Sequence, residues 1–405
     1  MTRSLLLAAL ALLSLALMVW QWLAARRFPL HRRATDVAFA PGVTLLKPLK
    51  GCDAETCACL ASWFAQEYRG PVQLLFGVAA ADDPVCAVVR DLLAQFPQAN
   101  AQLVVCAEQL GPNAKVSTLA HLERLAQHEH WIISDADTRV PPDFLAQIVQ
   151  PLRDPQVGVV NCFYALANPT TLAMQWEAVA VNADFWSQVL QARTLRPQDF
   201  ALGAVMATRC AQLAEIGGFR ALVDYLADDY QLGNQLARRG YRIELCPVVV
   251  ECWERPQGWR EVWAHQLRWA RTVRVCQPGP YFLSILNNAT VWPFAWLVVS
   301  NLQFHQGFPT YPDSPQTKLG VAFVAASFFL CSWGMVLRSS SARRLSETLT
   351  QKKVPPGWDG STTFKDLLQV AVWAMAFLGD TVVWRGQRLR VQRGGKLVPL
   401  PEGPA

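Results

Sequence analysis

Long apolar stretches near both ends of the chain constrain its fold more than any other feature. Residues Leu5–Leu23 are almost continuously apolar, and this is about the length that an α-helix needs to cross a bilayer. The stretch runs into Ala24, Ala25 and then a group of arginines rather than into a cleavage site for a signal peptide. The sequence therefore predicts an uncleaved transmembrane anchor over residues 1–25. Three further apolar stretches follow in the C-terminal third, at Tyr281–Leu302, Leu319–Leu337 and Leu367–Trp384.

Basic residues beside these stretches predict the orientation of the chain, because Lys and Arg in short loops mark the cytoplasmic side of a membrane. Residues 26–33 contain four arginines. The connection Gln303–Thr317 has no Lys or Arg, whereas Arg338–Lys353 is basic again. This alternation predicts a multi-pass membrane protein whose central part, residues 41–276, lies on the cytoplasmic side.

The last apolar stretch leaves two possibilities open for the C-terminal membrane region, residues 281–384. Leu367–Trp384 contains Gly379 and Asp380 near its end and has basic residues on both sides. It either crosses the bilayer at a cost for the carboxylate or enters and returns as a re-entrant or interfacial segment. The region therefore has two or three membrane segments. Residues 385–405 form a basic tail, and we expect its Pro- and Gly-rich end to be mobile.

The central part has the alternating pattern of an α/β domain. Short apolar runs bounded by Pro and Gly are typical of buried strands, and they lie at Val43–Leu46, Val72–Val78, Gln102–Cys106 and Trp131–Ser134. Helical periods separate them, including Cys86–Phe96 and Val116–Gln127. This alternation predicts a Rossmann-like, mostly parallel sheet with helices on both sides. Active sites in such sheets lie beyond the carboxyl ends of the strands.

Two aspartates occupy that position in the segment HWIISDADTRVPPDFL, His130–Leu145. Asp135 and Asp137 follow the strand directly, and side chains two residues apart in an extended segment point the same way. Two facing carboxylates repel unless a cation lies beside them, and a hard divalent ion that also binds phosphate oxygens fits this requirement. For this motif taken alone, an Asx turn with a solvated second aspartate is the alternative.

A second acidic pair, Asp228 and Asp229, begins a helix that ends near Gly240 and is followed by a strand. Acidic residues at a helix N-terminus complement the helix dipole, which explains one of the two aspartates. The helix N-terminus also favours the ionised carboxylate. One of the pair is therefore a candidate general base towards an incoming hydroxyl.

The segment GWREVWAHQLRWARTVRV predicts an amphipathic helix within residues 257–275. Trp259 and Trp263 share one face, while Arg268 and Arg271 lie largely on other faces. Aromatic residues opposite arginines suit a membrane interface. Guanidinium groups also bind phosphate through two parallel hydrogen bonds, so both interpretations stay open for this segment alone.

Together these motifs resemble the ceramide glucosyltransferase family, which is glycosyltransferase family 21 and includes bacterial hopanoid-associated glycosyltransferases. The resemblance covers Pro41–Arg274 and rests on LLKPLKGCD, ADDP, PNAKVSTL, SDADTRVPPDFL, LADDY and HQLRW. It implies a GT-A fold between membrane helices. It also implies inverting transfer of a sugar from a UDP-sugar to a lipid hydroxyl, with Mg²⁺ or Mn²⁺ as cofactor.

The resemblance implies roles for four residues on the donor side of the site. Asp83 resembles the family's first aspartate, which lies near the nucleotide. Lys115 resembles a lysine whose charge meets the nucleotide phosphates. Asp135 and Asp137 resemble the D-x-D motif that holds the divalent cation on the sugar diphosphate.

It also implies roles on the side of the acceptor and the leaving group. Asp229 resembles the family's catalytic base, and Asp228 is its acidic neighbour. Arg268 and Trp269 match the end of a Q/R-x-x-R-W motif that serves the diphosphate leaving group and the acceptor site. His265 departs from that motif, whose first residue is Gln or Arg, although a glutamine follows it.

The substrate pair and the class of protein have alternatives. Glucose transfer to ceramide is the family's best-known reaction, but N-acetylglucosamine transfer to a hopanoid polyol uses the same diphosphate chemistry. A processive polysaccharide synthase would need more spanning helices. A non-catalytic scaffold or a transporter is disfavoured, because Asp137 and Asp229 are present and most of the charge lies in the central part. The net charge of +6 fits an anionic membrane surface rather than nucleic acid.

Overall fold

The computed structural model describes residues 2–306, 315–354, 358–384 and 387–400. The chain divides into two compact units, each assembled from segments that are far apart in the sequence. The helical unit contains Met1–Arg27, Gln175–Gln191 and His265–Gly379, and the sheet unit contains Phe28–Met174, Ala192–Ala264 and Asp380–Ala405. The domain boundaries inferred from the sequence remain a proposal.

The sheet unit is built on an eight-stranded sheet. Its strands are β1 (Val43–Leu49), β2 (Val72–Val78), β3 (Asn100–Val105), β4 (His130–Ser134), β5 (Thr138–Arg139), β6 (Val157–Leu166), β7 (Val205–Arg209) and β8 (Arg242–Cys252). Their order is β3-β2-β1-β4-β7-β6-β8-β5. Four of the seven pairings are parallel, so the prediction of a mostly parallel α/β sheet is confirmed.

The central strands are buried on both faces, which explains why they are continuous apolar runs in the sequence. Every residue of β1 is buried. Leu45 packs into the hydrophobic cluster on one face and Leu46 into the cluster on the other, and neighbouring residues of β2 and β4 divide in the same way. Each such side chain stabilises the fold by about 2 kcal/mol through burial.

The helices lie between and beyond these strands. In chain order they are α1 (Thr2–Arg27), α2 (Thr56–Phe64), α3 (Val85–Gln95), α4 (Ala114–Leu122), α5 (Phe144–Ile148), α6 (Leu172–Val179), α7 (Trp186–Arg193), α8 (Cys210–Glu215), α9 (Asp228–Arg238), α10 (Trp259–Cys276), α11 (Pro278–Leu283), α12 (Val291–Gln306), α13 (Pro315–Thr350) and α14 (Trp358–Ala376). A π-helix, Ala180–Phe185, joins α6 to α7.

One antiparallel strand brings an additional loop to the functional edge of the sheet. Ser134 ends β4, and it pairs with Val205, which begins the antiparallel β7. The residues just before β7 therefore lie beside the residues just after β4. This places the loop 201–204 next to the Asp135 and Asp137 segment.

Two helices of the described residues are long and apolar enough to cross a membrane, Thr2–Arg27 and Thr317–Thr350. Pro278–Asn287 and Val291–Gln306 reach that criterion only together, and they are bent by 58° at the break between them. The stretch Leu367–Trp384 does not form one continuous helix, because α14 ends at Ala376 and a strand begins at Thr381.

The C-terminal part of the chain, from Thr381 onward, contains strands that the sequence pattern did not predict. Strands β9 (Thr381–Trp384), β10 (Gln387–Val391) and β11 (Leu397–Pro399) form a separate antiparallel sheet in the order β11-β10-β9. The side chains of Leu389, Val391 and Leu397 are buried, which gives this sheet an apolar anchor. The end of the tail, residues 401–405, lies outside the described residues.

A buried ionic cluster joins three elements of the helical unit. The Arg338 Nη2 atom of α13 lies 2.8 Å from Asp184 Oδ2 in the π-helix and 2.8 Å from Asp366 Oδ1 in α14. Lys365 also binds Asp184. Two cations and two carboxylates thereby compensate one another away from water.

Candidate active site

Asp135 and Asp137 lie on a tight turn at the carboxyl end of β4. The Thr138 amide donates to the Asp135 carbonyl oxygen, and the Asp135 amide donates to the Ala204 carbonyl oxygen at 3.1 Å. The extended conformation that we expected from the i, i+2 spacing is therefore wrong, because the chain turns between the two residues. Burial and then the negative charge of Asp135 raise the pKa of Asp137 to about 6, while Lys47 lowers it.

Asp228 and Asp229 form the first turn of α9, as predicted. Asp228 is buried, whereas Asp229 is partly exposed. The Tyr230 amide donates to Asp229 Oδ1 at 2.7 Å. Burial and the charge of Asp228 raise the pKa of Asp229 to about 7, against the opposite effect of Lys115. This carboxylate can therefore take up and release a proton near neutral pH.

Lys115, in the first turn of α4, joins the two acidic pairs. Its Nζ atom lies 2.7 Å from Asp135 Oδ1 and 3.2 Å from Asp228 Oδ2, and its side chain is 9% exposed. Burial alone would lower the pKa of Lys115, but the two carboxylates raise it well above its ordinary value. The lysine thus stays charged and holds one carboxylate of each pair.

Two glycines permit the close packing behind Asp229. A Cβ atom on Gly203 would lie 2.7 Å from Asp229 Oδ2, and one on Gly233 would lie 2.3 Å from the Ala201 amide nitrogen. Neither distance is tolerated by a real side chain. The missing side chains let α9 and the loop 201–204 approach each other, and the same loop binds the Asp135 amide.

Lys47 is a site residue to which the sequence analysis assigned no role. It is fully buried in β1, and its Nζ atom donates to Ser134 Oγ at 3.0 Å and to the Asp135 carbonyl oxygen at 2.5 Å. Burial lowers its pKa to about 8, although Asp137 opposes this. The available signal was a lysine inside an apolar strand, LLKPL, since a buried charge needs a partner.

Asp83 lies at the same edge of the sheet, where its carboxylate binds backbone amide groups. Its carboxylate accepts hydrogen bonds from the Gly51 amide, at 2.9 Å to Oδ1 and 3.1 Å to Oδ2. Oδ1 also accepts from the Val85 amide at 3.0 Å, at the start of α3. Asp83 therefore ties the loop after β1 to the loop after β2, and its contact with a nucleotide stays a prediction.

His265, Arg268 and Trp269 belong to α10 and to the helical unit. His265 Nδ1 lies 2.8 Å from Glu177 Oε1, and the rings of His265 and Trp269 meet edge to face at 4.6 Å. The Gln266 side chain donates to the same Glu177 oxygen at 2.8 Å. Gln266, which follows His265, is therefore hydrogen-bonded to Glu177. The roles of the three motif residues remain predictions.

The negative charge of the carboxylates in the acidic pairs suits a divalent cation. Among the described residues, no group of three or more His, Cys, Asp or Glu side chains is arranged to hold a metal ion. The pKa values of Asp137 and Asp229 are nevertheless raised by burial and then by the negative charge of the neighbouring aspartate, against the opposite effect of Lys47 and Lys115. Such a pair suits a cation that completes its coordination with water and substrate phosphate.

Three proteins named as glycosyltransferases resemble between 21% and 57% of this chain. It is 25% identical over 219 residues to ceramide glucosyltransferase 3 of Caenorhabditis elegans, covering 53% of this chain and 47% of the relative. It is 37% identical over 96 residues to ceramide glucosyltransferase of Candida albicans, covering 21% and 18% of the two chains. An N-acetylglucosaminyltransferase of Bradyrhizobium diazoefficiens is 23% identical over 57% of this chain and 49% of its own. The chain thus spans about half the length, or less, of these relatives.

The fold is shared with a solved glycosyltransferase. The mannosyltransferase PcManGT from Pyrobaculum calidifontis, solved in complex with GDP-Man and Mn²⁺, superposes with a TM-score of 0.52 at 20% identity, covering 90% of this chain and 99% of the other. The expected GT-A-like fold is therefore confirmed. The family profile described as Glycosyl transferase family 21 matches residues 6–397, which is nearly the whole chain, and the protein therefore belongs to glycosyltransferase family 21.

Proposed function

We propose that this protein is a membrane-bound, inverting glycosyltransferase that moves glucose from UDP-glucose to the hydroxyl of ceramide. The observation that carries the proposal is the Lys115 bridge between the two acidic pairs, because it puts a cation-binding pair and a candidate base in one site. Family membership and the similarity to ceramide glucosyltransferases support the reaction and the lipid acceptor.

Asp135 and Asp137 are the residues that would hold a divalent cation, Mg²⁺ or Mn²⁺. Such a cation would supply positive charge to the diphosphate of the donor as negative charge develops there. Lys47 fixes the turn that carries both aspartates, through Ser134 and the Asp135 carbonyl group. Lys115 holds Asp135 in place and adds a second positive charge at the same edge.

Asp229 is the proposed general base. The acceptor oxygen forms a bond to the anomeric carbon while Asp229 takes the hydroxyl proton, and the bond to the diphosphate breaks with its electron pair. Attack from the face opposite the leaving group inverts the configuration. Asp228 forms an ion pair with Lys115, and Asp229 is the carboxylate of the pair that takes the proton. We assign Arg268 and Trp269 to the leaving group and acceptor on the basis of the family motif.

The membrane segments are consistent with a lipid acceptor. A hydrophobic acceptor is concentrated in the bilayer, and an anchored enzyme reaches it without extracting it into water. Two helices in the described part of the chain are long and apolar enough to span a membrane. We propose a multi-pass protein with its catalytic domain at the cytoplasmic face, where basic residues such as Arg26 and Arg27 flank the first span.

A second candidate reaction is the transfer of N-acetylglucosamine to a hopanoid polyol. The similarity to an N-acetylglucosaminyltransferase of Bradyrhizobium diazoefficiens favours it. The acidic site would serve this reaction equally well, because it faces the diphosphate and the reacting hydroxyl rather than the sugar substituents.

Transfer of radiolabelled sugar by the purified, detergent-solubilised protein tests both candidates. UDP-glucose and UDP-N-acetylglucosamine are each offered with ceramide or a hopanoid polyol in the presence of Mn²⁺ or Mg²⁺. We expect labelled glucosylceramide, formed only with the divalent cation and lost in Asp229→Asn. Asp91→Asn is the matched control, since Asp91 is an exposed aspartate on α3, outside residues 223–229. Labelled lipid in equal yield from Asp229→Asn would contradict the assignment of the base.

A further inference from the structure

The segment that leads into Asp228 and Asp229 is bound on one side by the C-terminal strands. The Leu226 amide donates to the Gly395 carbonyl oxygen at 3.1 Å, and the Leu397 amide donates to the Asp224 carbonyl oxygen at 2.7 Å. Tyr225 and Lys396 form the antiparallel bridge between these two bonds. The tail thus adds a short strand pairing to residues 224–226.

A side chain of α9 strengthens this attachment. Gln231, one turn beyond Asp228, donates from Nε2 to the Gly394 carbonyl oxygen at 2.8 Å. The ammonium group of Lys396 lies 5.8 Å from the centre of the Tyr225 ring, which is within the range of a cation–π interaction. The tail therefore contacts both the approach to α9 and its first turns.

The other side of the segment is bound by the start of α4, the helix that carries Lys115. Asn113 is fully buried; its amide donates to the Val223 carbonyl oxygen at 2.9 Å and its Nδ2 atom to the Tyr225 carbonyl oxygen at 2.8 Å. Residues 223–226 are therefore held between the helix that supplies Lys115 and the C-terminal strands.

The turn through which the tail contacts Leu226 and Gln231 contains two glycines. Gly394 and Gly395 have φ angles of 83° and 88°, a left-handed backbone conformation that other residues rarely adopt. Both carbonyl groups point to the α9 region, because Gly394 accepts from Gln231 and Gly395 accepts from Leu226. A side chain at Gly395 would strain this turn and weaken the Leu226 hydrogen bond.

We propose that the C-terminal strands are a positioning element of the active site, which fixes residues 223–229 so that Asp228 meets Lys115 and Asp229 faces the acceptor. Only the role that this inference gives to Asp229 rests on the proposed function. The backbone at Asp135 has supports of its own, from Lys47 in β1 and from the Ala204 carbonyl group just before β7, and Lys115 is carried by α4. Loosening the tail is therefore expected to impair the chemical step more than the binding of the donor.

Two variants of the full-length protein test the inference, Gly395→Val at the turn and Gln231→Ala at the α9 contact. Gln235→Ala is the matched control, because it changes the same residue type one helical turn further along α9. Three quantities are measured: transfer kcat, the Kd of UDP in the presence of Mn²⁺, and amide hydrogen exchange of residues 223–229.

We expect Gly395→Val to speed amide exchange of residues 223–229 and lower kcat, each by about tenfold, with the Kd of UDP changed less than about twofold. Gln231→Ala shows the same pattern more weakly, and Gln235→Ala matches the unaltered protein. Unchanged exchange in Gly395→Val would overturn the proposal. A parallel loss of kcat, UDP binding and melting temperature would also overturn it, because the tail would then support the whole fold.

The exchange measurement separates this inference from the proposed function. If the unaltered protein transfers no sugar from any donor, the proposed function fails, while faster exchange of residues 223–229 in Gly395→Val still supports the positioning role. If the unaltered protein and Gly395→Val transfer sugar at equal rates, the proposed function stands and the positioning role is wrong.

Discussion

The two acidic pairs consist of the same residue type, but their surroundings differ. In each pair Lys115 binds one carboxylate, Asp135 or Asp228, and burial raises the pKa of the other, Asp137 or Asp229, towards neutrality. The first pair follows a strand and has the buried ammonium group of Lys47 beside it. The second begins a helix, where Lys115 binds Asp228 and the Tyr230 amide donates to Asp229. These different surroundings suit the two proposed roles, cation binding by the first pair and proton transfer by the second.

The largest effect is expected from Asp229→Asn, which keeps the size of the side chain and removes its basicity. We expect kcat to fall by about 10³, because positioned general bases contribute roughly 10² to 10⁴. Steady-state transfer with saturating donor and acceptor measures it, with Asp91→Asn as control. A fall of less than about fivefold would assign the base to another residue.

Asp137→Asn tests the other pair. We expect the apparent affinity for Mn²⁺ to fall by about 100-fold, since loss of a cation ligand weakens binding strongly, and transfer to recover in part at high Mn²⁺ concentration. Titration of activity with Mn²⁺ measures this. If Asp229→Asn shifts the Mn²⁺ dependence as much as Asp137→Asn does, the two pairs share one task and the comparison fails.

Gly203→Ala changes the second pair without removing a charge. The added Cβ atom would lie 2.7 Å from Asp229 Oδ2, so the carboxylate must move. A misplaced catalytic group is costly, and we expect kcat to fall by about 30-fold with Mn²⁺ dependence unchanged. Gly258→Ala is the control, because a Cβ atom there meets nothing within 4 Å. Equal kcat values for the two variants would exclude a role for the close approach.

The pH dependence of transfer sharpens the assignment of the base. Below its pKa of about 7, Asp229 is protonated and cannot accept the hydroxyl proton. We therefore expect kcat/KM to rise about tenfold per pH unit below this value and to level off above it. A bound divalent cation favours the ionised form, so the plateau begins at lower pH as Mn²⁺ is raised. A profile that is flat between pH 5 and 8 would contradict this.

The smallest effect on activity is expected from Lys47→Met, which removes the cation that only the first pair possesses. The variant loses hydrogen bonds to Ser134 and to the Asp135 carbonyl group, and we expect it to lower the free energy of unfolding by about 2 kcal/mol. Denaturant unfolding measures the change. Lys50→Met is the control, because Lys50 is exposed. Equal stability of the two variants would show that Lys47 does not support the turn.

Strands and acidic motifs were predictable from the sequence for a physical reason. Strands buried on both faces must be continuous apolar runs, so β1, β2 and β4 were found close to their observed bounds. Asp135 and Asp137 were recognisable because carboxylates rarely follow such a strand without a partner. Their local conformation was not predictable, because the same residues are compatible with a turn and with an extended segment.

Partners that are distant in the sequence were not predictable. Lys47 lies 88 residues from the carbonyl group of Asp135 that it binds, and no local pattern identifies such a pair. The approach of Gly203 to Asp229 depends on the antiparallel direction of β7, which the short apolar segment does not reveal. The C-terminal strands pair with one another and are bridged to Tyr225 through Lys396, a contact that their own sequence does not reveal.

The buried ionic cluster of the helical unit sets an order for biosynthesis. Arg338 lies in a helix with the length and apolarity of a membrane span, and an uncompensated arginine is costly in a bilayer. Asp184 is synthesised before it, but Asp366, the second carboxylate that binds it, emerges only with α14. The full set of contacts that holds Arg338 can therefore form only after the ribosome has made α14. A chain interrupted between them would keep the Arg338–Asp184 ion pair but lack the hydrogen bonds from Arg338 to Asp366.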